Sequence, residues 1–398
     1  MESVLQSAVA KSSTSLTLAL DEATRVANLA KESNNDTMVV KSWLVMGSVL
    51  RVEGKNDEAF ALFQSSLQLS EKIKYNHGIC QSLLESGTIL YIQGQYEKSG
   101  DLFKKSLELA QKGGFSDLEA PSLNYIGKYL HTTGRFDESV EFYKRALEMY
   151  KSNRDSLNSV SVLLNLGKTY NLDSDLYMAL KCYLEAFRIC KNSDDYSNIS
   201  EVCNNLGSIY LALDQPELSM EYHRRALRYR VLINTPEGIA SSCNNVGKVF
   251  LAKNNPDSAL FYFGKSLKYC EQIFYLKGKV KALANIGKVY NLKSKYEKAK
   301  TYLMQSMAIA EKSGYTAGVA VASLELGNTF LGMRQTDSAR VAFENSLIKA
   351  KTTNLTELNH DAYWGIYQCY LEKKNHEKAL EYYRYFAQAE KKLIEAEN

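Results

Sequence analysis

Ser241–Cys270 reads SSCNNVGKVFLAKNNPDSALFYFGKSLKYC, and its apolar spacing specifies two helices joined by a turn. In the first helix Val246, Gly247 and Phe250 share a face, and Asn254-Asn255-Pro256 ends it. In the second, Ala259, Phe263, Ser266 and Leu267 stand at i, i+4, i+7 and i+8, the interval of a buried helical stripe. Pro256 suits a first helical position, because its missing N–H would have no intrahelical partner there. Asp257 beside it faces the positive end of the helix dipole.

The same unit is written along the chain at a fixed period of 40 residues. The glycine recurs as Gly47, Gly87, Gly127, Gly167, Gly207, Gly247, Gly287 and Gly327, and Tyr367 takes its place in the ninth copy. The small residue of the second helix recurs from Ala59 and Ser99 to Ala339 and Ala379. The aromatic four residues on recurs as Phe63, Phe103, Tyr143, Tyr183, Phe263, Phe343 and Tyr383, with His223 and Leu303 as departures. A glycine or alanine lets two helices approach, and the aromatic fills the next layer. No insertion interrupts the period, so one supersecondary unit is stacked on copies of itself.

This pattern resembles the tetratricopeptide repeat family in its 40-residue form, as in kinesin light chain, LGN-type scaffolds and bacterial regulators. The residues that carry the resemblance are the Trp43/Leu83/Leu123 place, the pairs Leu166-Gly167 and Leu206-Gly207, and Tyr170/Tyr210/Tyr290. It implies an all-α solenoid, a right-handed superhelix of helix-turn-helix repeats. Nine repeats are expected over 35–390, after an N-terminal half-repeat over 1–34 whose first helix is missing. Ala19, in phase with Ala59, marks the second helix of that half-repeat. The C-terminal extension, 391–398, belongs to the run AQAEKKLIEAEN, which carries no stop signal. It predicts either a capping helix or a helix cut short before a further domain.

Gly54, Gly94 and Gly134 are expected to end first helices with positive φ, and Asp214 and Asn254 to do so in later copies. An acid opens the second helix in eight of nine copies, Tyr177 being the exception. The seven cysteines contain no CxxC and are an odd number; they read as reduced core thiols, which predicts a cytoplasmic location. A net charge of +4 is too slight to call for nucleic acid, and no run is long and apolar enough for a membrane span.

Catalytic signals fail. Gly264-Lys265-Ser266 resembles the end of a phosphate loop but falls inside a predicted helix. The five histidines have no metal-ligand spacing. Neither an enzyme nor a cofactor nor a small-molecule substrate is expected.

The informative residues lie on the first helices, outside the core stripe. Two places before the repeated glycine stand Asn165, Asn205, Asn245 and Asn285, and Asn204 and Asn244 double the amide. One place after the glycine stand Lys128, Lys168, Lys248 and Lys288. In the resembled family first helices line a concave groove, and peptide-binding members use such asparagines and cations to hold an extended segment or its carboxylate end. The carry-over implies a protein or peptide partner, probed by amides on its backbone and by cations on its acidic groups. It fails at Glu85, Tyr125 and Glu325. Asparagines at these places can equally stitch adjacent helices together. A second reading, prompted by the unterminated last helix, is the sensory part of a bacterial histidine kinase or transcription regulator. The basic run His223-Arg224-Arg225 with Arg228 and Arg230 is expected to be a solvated outer face.

Overall fold

In the computed structural model, which describes residues 1–11, 15–353 and 355–397, every regular element among the described residues is an α-helix. The chain divides into two compact units, Met1–Tyr170 and Asn171–Asn398. In the first, α1 (Glu2–Lys11) pairs with α2 (Leu16–Glu32) and α3 (Asp36–Val52) with α4 (Asn56–Lys72). Then α5 (Asn76–Ile92) pairs with α6 (Tyr96–Gly113) and α7 (Ser116–Thr132) with α8 (Phe136–Ser152), and α9 (Ser156–Leu172) follows. The second unit holds α10 (Leu176–Cys190), then α11 (Tyr196–Ala212) paired with α12 (Pro216–Leu232) and α13 (Pro236–Ala252) with α14 (Pro256–Gln272). It continues with α15 (Leu276–Leu292) and α16 (Tyr296–Lys312), α17 (Thr316–Gly332) and α18 (Thr336–Thr353), and α19 (Thr356–Glu372) and α20 (His376–Glu397).

The repeated glycine makes each pair close. A Cβ added at Gly47, Gly87, Gly127, Gly207, Gly247, Gly287 or Gly327 would lie 2.4–2.7 Å from the side chain sixteen residues on. That side chain is the aromatic of the second helix, with His223 and Leu303 filling the same place in their copies. Buried serines add polar ties between helices: Ser306 Oγ donates to Val280 O (2.8 Å) and Ser346 Oγ to Ala320 O (2.9 Å). All seven cysteines are buried, and none is joined to another in a disulfide.

The half-repeat expectation needs correction, because α1 supplies the first helix thought to be missing. Leu5 and Ala8 are buried against Ala23, Val26, Ala30, Met38 and Val39, and Lys41 Nζ donates to Glu2 Oε1 (2.6 Å). The signal was present in the i, i+3 spacing of those two apolar residues; the run was too short to announce a helix by itself. At the other end α20 continues through Glu397, and Asn398 lies outside the described residues.

Turn chemistry follows the expected rule. Gly54, Gly94 and Gly134 have φ of 80°, 78° and 78°, and Asp214 and Asn254 each have 52°. Phe274 also sits at φ 55° with 87 % of its surface exposed, where the corresponding residue one repeat later is Gly314. A β-carbon in this region costs about 1–2 kcal/mol, and an exposed ring returns little of it. Phe274→Gly is therefore expected to raise the melting temperature by about 2–4 °C after the entropic cost of glycine is deducted. A thermal melt followed by circular dichroism checks it.

The recurring acids have a second use. Beyond the dipole, Asp257 Oδ1 accepts from Lys293 Nζ (2.5 Å), Glu217 pairs with Lys253 (3.1 Å), and Asp337 with Lys373. Each joins the start of one second helix to the turn of the next repeat, thirty-six residues on. These pairs are exposed, so each contributes little on its own.

Candidate peptide-binding surface

Side-chain amides form hydrogen bonds between consecutive first helices. Asn245 Nδ2 donates to Asn204 Oδ1 (2.8 Å), and Asn285 Nδ2 donates to Asn244 Oδ1 (2.8 Å). In the first unit Asn165 Nδ2 donates to Asn124 Oδ1 (3.3 Å). One rule covers all three: the amide two places before a glycine donates to the amide three places before the preceding glycine. Asn124 was missed in the sequence because no second asparagine follows it. Asn205 Nδ2 is buried with no hydrogen-bond partner among the described residues.

Arg230 deepens this stitching. Its guanidinium donates to Ser242 Oγ (2.8 Å), Gly238 O (3.1 Å) and Asn204 Oδ1 (3.4 Å), and burial pushes its pKa down. His223 is 1 % exposed, set over Gly207 in the aromatic place. Burial, with Arg230 and Lys248 nearby, pushes its pKa down to about 4. The solvated-face expectation for this run therefore holds only for Arg224 and Arg228; Arg225 pairs with Glu221 (2.8 Å) and lies over Phe187 and Tyr222. The spacing itself places both inside, since His223 holds the aromatic place and Arg230 the place of Cys270 and Ala310; their charge pointed the other way.

The lysines have separate surroundings. Lys128 Nζ lies 4.8 Å from the Tyr125 ring centroid, a cation–π distance. Lys168 lies close enough to His131 to lower its pKa, after burial as the larger cause. Lys288 Nζ is 3.6 Å from Glu325 Oε1, a carboxylate held also by Asn291 Nδ2 (3.3 Å) and Asn328 Nδ2 (3.4 Å). The charge of Lys288 is thus already met within the fold. In the first unit the asparagine place is taken by Glu85, whose Oε2 lies 3.5 Å from Arg51 Nε, and by Tyr125, stacked on Phe103 at 5.1 Å. Burial raises the Glu85 pKa against the opposing effect of Arg51.

Four of the sequence-picked residues do converge. Asn244, Asn245, Lys248 and Asn285 line one cavity of about 350 Å³ on α13, α15 and α17. Its remaining walls include Ala284, Val280, Val321, Tyr275, Tyr315 and Lys281. Tyr275 and Tyr315 precede their first helices and lie over Gly278 and Gly318, whose missing β-carbons leave room for the rings. Lys281 was overlooked, although it stands four residues before Asn285 and so on the same helical face. Among the described residues no group of three His, Cys, Asp or Glu could hold a metal ion, and no helix is long and apolar enough to cross a membrane.

No curated protein matches the sequence. Among solved structures, RapI in its apo form is similar over 90 % of this chain and 99 % of its own, with a TM-score of 0.69 at 16 % identity. A Rap protein complexed with competence and sporulation factor covers the same shares at 0.64 and 17 %. The apo quorum sensor NprR from B. thuringiensis matches at 0.64 and 14 %, over 83 % of this chain and 97 % of its own. At these identities the likeness is one of fold. Tetratricopeptide repeat models match residues 78–152, 159–230, 280–313 and 324–391, in both units and over every glycine–partner pair from Gly87 onward except Gly247 with Phe263. With the period, the helix pairing and these matches in agreement, the chain belongs to the tetratricopeptide repeat family.

Proposed function

We propose that the second unit binds an extended peptide across α13, α15 and α17, without catalysing a reaction. The observation that carries this reading is the cavity that gathers Asn244, Asn245, Lys248 and Asn285 with apolar and tyrosine walls. An asparagine amide has two N–H donors and a carbonyl oxygen; one stitch takes a single N–H from Asn245 and the other a single N–H from Asn285. The stitch fixes each amide plane, and the remaining donor and acceptor can meet a peptide backbone. Lys248 and Lys281 favour carboxylates near a side chain lodged in the cavity, so the preferred segment is acidic. Asn204 and Asn244 act as positioning residues, holding the amides in front of them. The Rap neighbour solved with competence and sporulation factor supports a ligand for a fold of this kind.

The test uses pools of fluorescein-labelled hexapeptides, acidic and basic, read by fluorescence anisotropy. Acidic pools are expected to bind, and Asn245→Ala with Asn285→Ala to weaken them about tenfold, as loss of two hydrogen bonds implies. Lys248→Glu with Lys281→Glu should reverse the preference toward basic pools. Failure of both pools to bind, or binding indifferent to both double variants, would falsify the reading.

A further inference from the structure

Away from that cavity, α16 and α18 border a second one of about 530 Å³, in whose lining Phe330 takes part. Its origin is one departure in a row of stacked rings. In α11, α13, α15 and α19 of the second unit, the late aromatic lies against a tyrosine of the following helix. Tyr210 lies on Tyr222, Phe250 on Tyr262, Tyr290 on Tyr302 and Tyr370 on Tyr382, with centroids 5.4–5.5 Å apart and planes 15–29° from parallel. By the same register Phe330 faces position 342, which is alanine. Phe330 and Ala342 both line the cavity, beside Met304, Met307, Leu326 and Val341. Met304 and Val341 are 50 % and 56 % exposed, and Lys300 Nζ lies 5.7 Å from the Phe330 ring centroid.

We propose that this opening is a docking pocket for a tyrosine-like side chain carried by a partner polypeptide. The four complete rungs define the occupant: a ring, offset-stacked at about 5.4 Å on the first-helix aromatic, the favoured arrangement of aromatic pairs. Position 342 is where that ring would be anchored, and alanine there leaves the Phe330 face for a ring delivered from outside. The size of the opening favours a polypeptide over a free aromatic molecule. A void of about 150 Å³ already accepts benzene, so one ring would leave Met304 and Val341 bare. Residues flanking the ring on a partner chain would cover them, and methionine side chains adapt readily to such a surface. The pocket is independent of the amide-lined cavity, and neither reading requires the other.

The experiment uses the full chain with methionine methyl groups labelled for NMR and p-cresol as probe, the Met304 and Met307 signals being assigned by Met304→Leu and Met307→Leu. Ring-current shifts of those two signals are expected, saturating at millimolar p-cresol, as befits an anchoring fragment without its partner. Cyclohexanol should shift them far less. Ala342→Tyr should abolish the p-cresol response and raise the melting temperature by about 2–4 °C. Should that variant fail to fold, Phe330→Leu removes the stacking floor at similar volume and is expected to weaken p-cresol about fivefold. The proposal is overturned by absent shifts up to the solubility of p-cresol, by a response that survives in Ala342→Tyr or is unchanged in Phe330→Leu, or by micromolar half-saturation, which would indicate a free aromatic ligand.

Discussion

Gly247→Val is expected to destabilise the second unit by about 3 kcal/mol or more. The β-carbon alone would stand 2.6 Å from the Phe263 ring, and the ring has nowhere to retreat, being fully buried with Ala259, Ile286 and Val289. Relief requires α13 and α14 to separate, which would open the layers on both sides. Gly264→Ala is the control in the same pair: nothing lies within 4 Å of a β-carbon there. It sits inside α14, so alanine should stabilise by about 0.5–1 kcal/mol through helix propensity. Urea unfolding of the two variants should move the midpoint in opposite directions. A similar loss in both would mean that glycine serves the backbone and not the helix contact.

That contrast also explains how much the sequence could reveal. The period, the small residue and the aromatic sixteen places after the glycine are all local to one helix pair, so the fold could be read from a single copy and checked on the rest. The amide site could be read only by position. Whether Asn245 faces a cavity or a neighbour depends on Asn204, forty-one residues away, and both hold: it donates to Asn204 and still lines a cavity. Lys288 lies 3.6 Å from Glu325 Oε1, thirty-seven residues on, a contact that its own repeat does not announce. Lys281 and Ala342 were open to discovery, one by its spacing from Asn285 and the other as a break in a tyrosine row. Neither lies in the register of the asparagine and lysine rows, which is where charge and amide stand out. His223 and Arg230 show the converse, charged residues placed inside by positions that belong to the core.

Acid should destabilise the wild type more than His223→Phe between pH 6.5 and about pH 4. His223 occupies the place held by Phe263 and Phe343 in other copies, and its Nδ1 is buried without a hydrogen-bond partner. Its pKa is depressed to about 4 from an ordinary 6.5, so the folded chain holds the imidazole neutral while the unfolded chain takes up a proton first. The contribution is complete above the unfolded value and is lost as pH falls toward the folded one. Fully realised, that displacement corresponds to on the order of 3 kcal/mol. Burial is the main cause, and the cations Arg230 and Lys248 act in the same direction, so added salt should reduce the effect only in part. Carboxylates titrate in both proteins and cancel in the difference. Phenylalanine keeps the contact with Gly207, removes the unpaired nitrogen and cannot take up a proton, so unfolding free energies measured at pH 7 and pH 4.5 should draw apart for the two chains at the lower pH. Parallel losses would show that His223 is protonated as readily in the fold as outside it.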